Sequence, residues 1–222
     1  MISIIMSTYN SAETLSKSID SILSQTFRDF EFLIMDDGST DNTNQILEKY
    51  LEIDKRLKIF KNKHNIGLTK SLNLLIEKSK YDILARQDSD DISHNQRLEK
   101  QYNLLTSSNY SFCTTRAQSM QTQKKIPRIT FYLPKKILLK YKNPFVHGTL
   151  MMRKKTFMEI GGYNVDYEYA QDYKLMLDLY KMGSKVKILK QVLYYLNTED
   201  NISTLKAKEQ RHYFKKAQKE KY

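Results

Sequence analysis

Three carboxylates fall within four residues of the stretch Arg86-Gln87-Asp88-Ser89-Asp90-Asp91. Like charges this close repel, so the cluster is tolerable if it is solvated or if it holds a cation. Hard oxygen ligands suit Mg²⁺ or Mn²⁺, and a metal held this way usually carries a substrate phosphate as well. The same residues also make an ordinary acidic turn ahead of a helix beginning near Asn95, and on these residues alone both readings stand. Two further polar clusters accompany them, Ser7-Thr8-Tyr9-Asn10 and Asp36-Asp37-Gly38-Ser39-Thr40-Asp41. Carboxylates at Asp36 and Asp37 can accept hydrogen bonds from a base or a ribose, or serve as a turn and helix cap. Tyr9 can stack on a base or pack at a sheet edge. His147 can touch a phosphate or an acceptor, or be a satisfied structural residue. Asp172 is the one later carboxylate set at a helix start after a loop, which is also where an ordinary first-turn acid sits.

The elements around these residues follow from apolar periodicity. Apolar, β-branched runs at residues 2–6, 30–35, 57–60 and 81–85 predict strands. Between them, Leu15, Ile19, Ile22, Leu23 and Phe27, then Ile46, Leu47, Tyr50 and Leu51, then Leu72, Leu75 and Ile76 recur at helical spacing. Strands alternating with helices through short loops define an α/β fold with a parallel sheet and right-handed crossovers. In such sheets ligands lie beyond the carboxyl ends of the strands. Ser7–Tyr9, Asp36 with Asp37, and Asp88–Asp91 each follow a strand, so the three clusters are expected to meet along one edge.

The second half is less regular. A helix is expected at 96–105, strands at 110–115, 148–152, 186–189 and 192–195, and a helix opening at Ala170-Gln171-Asp172. Residues 119–142 are polar, basic and weakly patterned, which reads as a mobile loop, a lid or an acceptor surface. No repeat and no clean linker divides the chain.

Composition narrows the classes. Hydrophobic content of 40% and charged content of 28% over 222 residues describe one globular domain, not a disordered chain. The single cysteine, Cys113, forms no internal disulfide and sits in an apolar run as a buried small hydrophobe. No signal pattern opens the sequence and no apolar stretch approaches the roughly 20 residues needed to span a bilayer, so a cytoplasmic location is the default expectation. The net charge of +12 is uneven, with basic groups at 135–155 and 206–221 and the acids concentrated in the first hundred residues. That asymmetry fits a surface facing anionic lipid or phosphate better than a reader of nucleic acid. A dinucleotide Gly-x-Gly-x-x-Gly, a Walker loop, a zinc spacing and a nucleophile elbow are all missing.

Taken in order, Ile4-Ile5-Met6-Ser7-Thr8-Tyr9-Asn10, Met35-Asp36-Asp37-Gly38-Ser39-Thr40-Asp41, Asn65-Ile66-Gly67-Leu68 and Ala85-Arg86-Gln87-Asp88-Ser89-Asp90-Asp91 resemble family 2 glycosyltransferases of the GT-A fold. His147-Gly148-Thr149, Gly161-Gly162-Tyr163 and Gln171-Asp172-Tyr173-Lys174-Leu175 are similar to the family's acceptor-side half, and the likeness runs over about residues 2–200. The resemblance implies a Rossmann-like, mostly parallel sheet flanked by helices. Residues 1–95 would form a nucleotide-sugar half, 96–200 a smaller mixed acceptor-side half and 201–222 a basic tail. It implies that Ser7, Thr8 and Tyr9, with Asp36 and Asp37, hold the uracil and ribose of a UDP-sugar donor. Asp88, Ser89 and Asp90 would be the Asp-x-Asp motif placing Mn²⁺ or Mg²⁺ on the diphosphate, with Asp91 as the alternative ligand. Arg86 would orient the donor, His147 would lie near phosphate or acceptor, and Asp172 would be the general base of an inverting transfer to a glycan or glycolipid hydroxyl.

Two departures qualify the likeness. Gln171 stands where the base motif usually begins with an acid, and the Gln-x-x-Arg-Trp signature of processive members is missing from a chain that contains no tryptophan. Transfer of a single hexose or N-acetylhexosamine to a surface glycan is therefore expected, with the basic tail resting on the anionic inner membrane leaflet. The rival reading is a non-catalytic module of the same fold that binds nucleotide sugar or nucleic acid.

Overall fold

The computed structural model describes residues 1–199 and 206–220. Strands β1 (Ile2–Thr8), β2 (Phe30–Asp36), β3 (Leu57–Lys61) and β4 (Ile83–Arg86) alternate with helices α1 (Leu15–Leu23), α2 (Thr43–Ile53) and α3 (Leu68–Lys78). They pair in parallel in the order β3-β2-β1-β4. Because side chains alternate along a strand, β1 and β2 feed two cores. Ile5, Leu33 and Met35 pack with Leu72, Leu75 and Ile76 of α3. Ile4, Met6, Phe32 and Ile34 pack with Leu15 and Ile19 of α1 and Leu47 of α2 on the other face. Both faces of these strands are covered, so they read as continuous apolar runs.

Beyond β4 come β5 (Ile92–Ser93), α4 (Arg97–Thr106), β6 (Phe112–Ser119), β7 (Lys125–Ile126), α5 (Lys135–Leu138), β8 (Met151–Arg153), α6 (Lys154–Glu159), α7 (Gln171–Lys181), β9 (Val186–Leu196) and α8 (Ala207–Lys219). The sheet continues as β4-β8-β6-β9-β5, with β8 antiparallel to β4 and β9 parallel to β6, while β7 pairs with β6. Beyond β4 the sheet is therefore mixed, as the resemblance implied for the second half of the chain.

Three elements differ from the expectation. The two late strands are one, β9. Lys190 and Gln191, which interrupt the apolar pattern, sit where the register against β6 shifts between Thr115 and Arg116. Such a bulge lets one strand bend and continue. The strand expected at 148–152 begins later, at Met151, because His147–Thr149 form a 3₁₀ turn. Residues 119–142 are not a featureless loop, since they hold β7, a 3₁₀ turn at Ile129–Tyr132 and α5. Cys113 is buried in β6, as expected.

The basic tail is a docked helix over its described residues, while residues 201–205 and 221–222 lie outside them. On α8, Phe214 stacks on Tyr173 of α7 with ring centroids 4.0 Å apart, and Ala217 is buried in the same core. Among the described residues no helix is long and apolar enough to cross a membrane.

Candidate functional site

The acidic stretch is shaped by a buried amide that periodicity does not reveal. Gln87 follows β4, is fully buried, and donates through Nε2 to Ser18 Oγ and to the carbonyls of Asp88 and Asp91. Its Oε1 accepts from Ser93 Oγ at 2.7 Å and from Arg97 at 3.3 Å. One side chain thus pins the whole turn between β4 and β5.

The carboxylates then diverge. Asp88 Oδ1 pairs with Arg86 at 2.6 Å, and its N–H donates to Tyr194 Oη at 3.1 Å. Asp91 turns inward, accepting from the Asn197 N–H at 2.7 Å and from the Tyr194 hydroxyl. Burial and the charges of Asp88 and Asp90 hold its carboxyl well above the usual range. Asp90 stays partly exposed; burial first and the Asp88 charge second push it up to about 6. Ser89 Oγ lies 3.0 Å from Ser11 Oγ, tying this turn to the loop after β1. Among the described residues no three Asp, Glu, His or Cys side chains converge as a ready-made metal cage.

Arg86 also contacts His147 Nδ1. A guanidinium only donates, so Nδ1 must be the acceptor and the ring proton sits on Nε2, which lies 2.7 Å from Tyr163 Oη. Burial and the neighbouring Arg86 charge hold His147 well below its ordinary range, which keeps it neutral. Asp172 stands in the first turn of α7, with Oδ2 accepting from Asn143 Nδ2 at 2.7 Å. Burial raises the Asp172 carboxyl, opposed by the Asn143 bond, backbone N–H groups and Arg86. Arg86 and Tyr163 each feel the charge of both Asp88 and Asp172, so both carboxylates lie within electrostatic reach of one row of buried polar side chains. Ala170, just before the helix, holds a left-handed φ of 54° and donates its N–H to Gln210 Oε1 of α8 at 3.1 Å. The docked tail therefore braces the residue that aims α7.

At the ends of β1 and β2, Asp36 and Asp37 have different fates. Both Asp37 oxygens are engaged, Oδ1 with Asn62 Nδ2 and the Ile66 N–H, Oδ2 with the Gly67 N–H. Asp37 thus staples the Asn65-Ile66-Gly67 turn. Asp36 Oδ1 caps the Ser39 N–H at 2.9 Å, while its buried Oδ2 has no hydrogen-bond partner among the described residues and faces the Lys61 ammonium only at 3.9 Å. Thr8, the register partner of Asp36, carries a second orphan at Oγ1. Buried polar groups are normally satisfied, so this pair is poised for a ligand's donors. Tyr9 is exposed and Ser7 half-buried beside them. Gly38, between the clusters, has a φ of 77°, and a Cβ there would meet the His64 backbone at 2.6 Å. Only glycine lets these two loops close.

Sequence reasoning missed Gln87, Tyr194, Asn143, Gly148 and Arg97. A Cβ on Gly148 would lie 2.7 Å from Asp88 Oδ2 and 2.5 Å from Tyr194 Oη, so the bare backbone makes room for the carboxylate. Arg97 is fully buried without a carboxylate ion-pair partner among the described residues; Nη1 donates to the Arg86 carbonyl at 3.0 Å and the guanidinium lies over the Tyr194 ring. Burial pulls it down to about 10, which still leaves it charged at neutral pH beneath the acidic turn. Arg97→Met should strand those acceptors and cost about 3 kcal/mol, read as a lower urea midpoint.

This α/β sheet, with polar clusters beyond β1, β2 and β4 and mixed pairing beyond β4, is the GT-A glycosyltransferase fold. The family model for glycosyl transferase family 2 matches residues 3–161. The chain is 36% identical over 182 residues to the O-antigen biosynthesis glycosyltransferase WbnJ of Escherichia coli, covering 80% of this chain and 70% of that one. It is 30% identical over 184 residues to the E. coli UDP-Glc:alpha-D-GlcNAc-diphosphoundecaprenol beta-1,3-glucosyltransferase WfgD, covering 82% and 70%. S. aureus TarS 1-349 in complex with UDP-GlcNAc superposes with a TM-score of 0.78 at 21% identity, over 90% of this chain. The chain spans 59% of the length of that structure. It belongs to glycosyltransferase family 2.

Proposed function

We propose that this chain is a metal-dependent, inverting glycosyltransferase that moves one hexose or N-acetylhexosamine from a UDP-sugar to a hydroxyl of a surface-glycan acceptor carried on lipid. The observation that carries the reading is that Asp88, with Asp90 next to it, and Asp172 both act on the Arg86-His147-Tyr163 row, Asp88 by an ion pair to Arg86 and Asp172 by its charge on Arg86 and Tyr163. The UDP-sugar in the TarS complex, and the donor and lipid diphosphate in the WfgD name, support the choice of donor and acceptor.

The residues fit a divalent cation. Asp88 keeps Oδ2 outside its Arg86 pair, Asp90 is partly exposed, and their mutual repulsion is what a cation relieves. Asp91, spent on Asn197 and Tyr194, is the weaker candidate. When bound beside the donor's diphosphate, Mn²⁺ or Mg²⁺ supplies charge neutralisation for the leaving group. The rest is done by the chain. Thr8 Oγ1 and Asp36 Oδ2 accept from the nucleoside. Arg86, held between Asp88 and a neutral His147, presents fixed positive charge to the departing UDP. Asp172 takes the acceptor hydroxyl proton as the new C–O bond forms at the anomeric carbon and the bond to the diphosphate breaks on the opposite face. That displacement inverts the anomeric configuration.

The pH profile carries the sign of the Asp172 shift. The base works deprotonated, so the acidic limb of kcat/KM should lie above the ordinary carboxylate range, because burial raises this carboxyl. The Asn143 bond stabilises the charged form. Asn143→Ala should therefore move the limb to still higher pH, read from initial rates across the acidic range. Donor class is tested by calorimetry in Mn²⁺. UDP should bind and GDP should not compete; tight GDP binding with none for UDP would overturn the donor assignment.

A further inference from the structure

Five of the twelve large apolar side chains exposed among the described residues lie within residues 129–141. Ile129 is 77% exposed, Tyr132 75%, Ile137 56% and Tyr141 73%. The segment that carries them is pinned from beneath. Leu138 and Leu139 are buried, Tyr173 Oη donates to the Leu139 carbonyl at 2.5 Å, and the Phe131 ring lies between the Arg116 and Lys135 cations. These apolar groups are presented by a fixed scaffold.

Their surroundings are basic. No Asp or Glu occurs from residue 100 to residue 158, and residues 124–142 alone carry seven Lys or Arg. The helix α8 extends the same character. Its exposed Lys208, Arg211, Lys215 and Lys219 follow helical spacing, and Gln218 Nε2 donates to the Lys140 carbonyl, so the two elements meet. The segment ends directly before Asn143, which holds Asp172.

We propose that this surface is a docking face for an anionic lipid bilayer, with Ile129, Tyr132 and Ile137 entering the headgroup boundary and the lysines of 136–142 and α8 meeting the headgroup phosphates. In residues 129–142, apolar and tyrosine side chains interleaved with lysine, without acids, match the composition of interfacial segments, and the two acids of the α8 region, Glu209 and Glu220, lie beside Lys206 and Lys174. Lysine stems lie along the boundary while their heads reach the phosphates. A second copy of the chain is disfavoured as the occupant, since both faces would carry the same net positive charge and repel. The biological meaning rests on the lipid-borne acceptor proposed above; the docking face sets the base beside the surface from which that acceptor would arrive.

The test is flotation of the full chain, without donor, on phosphatidylcholine vesicles with and without phosphatidylglycerol. The wild type should float with the anionic vesicles only. Ile129→Ser combined with Tyr132→Ser and Ile137→Ser should cut partitioning by about tenfold or more while leaving the melting temperature and UDP release in solution unchanged. Lys136→Gln with Lys140→Gln should flatten the salt dependence of the remainder. Undiminished flotation of the triple serine variant, or no flotation of the wild type, overturns the proposal. So does a wild-type dimer in light scattering that the triple variant dissociates. Flotation with no sugar turnover under any condition would instead count against the transfer reading alone.

Discussion

Asp172→Asn should lower sugar transfer by about 10³-fold, the scale of a lost general base, while the folded protein stays at least as stable as the wild type. The two halves of this expectation share one cause. Burial raises the Asp172 carboxyl above its ordinary value. A carboxyl whose folded pKa exceeds its unfolded pKa contributes no penalty below the unfolded value; the penalty grows as pH rises and is complete above the folded value. At neutral pH the charged Asp172 therefore strains the fold, and a neutral amide can still accept the Asn143 Nδ2–H bond. UDP binding, proposed above for the residues at the ends of β1 and β2, should be unchanged. Melting temperature, UDP affinity and transfer rate measured on one preparation separate these effects. An equal loss of stability and activity would make Asp172 a structural cap.

Asp90→Ala should abolish Mn²⁺-dependent donor turnover, by about 10³-fold or more, because the cation proposed there would contribute several kcal/mol to stabilising the leaving diphosphate. UDP affinity should fall in the presence of Mn²⁺ and change little in its absence. Asp91→Asn makes the contrast, since that carboxylate is spent within the chain on the Asn197 N–H and the Tyr194 hydroxyl. Its expected effect is on the melting temperature, with turnover held within about tenfold. Equal catalytic losses at both positions would move the cation to Asp91.

What the sequence revealed followed from local pattern. Strands buried on both faces, such as β1 and β2, show as apolar runs, and the ends of those runs located Asp36, Asp88 and their neighbours. What it concealed depends on contacts across long stretches of chain. Nothing in the periodicity of β9 distinguishes Tyr194, whose hydroxyl meets the backbone of Asp88 106 residues earlier. Gln87 and Arg97 are polar residues in a polar stretch, and only the closed fold makes them the buried scaffold of the turn. Asp36 and Asp37 are equivalent as letters. Their difference lies in the strand end, where Asp36 remains in register with Thr8 while Asp37 turns to the 65–67 loop. Residues 119–142 looked patternless because half their apolar side chains face solvent and so leave no regular stripe.

The most direct measurement of the central claim is UDP release by the wild-type chain from a panel of UDP-sugars in Mn²⁺, repeated with EDTA and with Asp90→Ala. Release from one sugar, lost in both controls, is the expected result and identifies donor and metal chemistry together. Stabilisation of the chain by UDP without release from any member of the panel, with or without a lipid-linked acceptor, would contradict it and make the chain a nucleotide-sugar binding module.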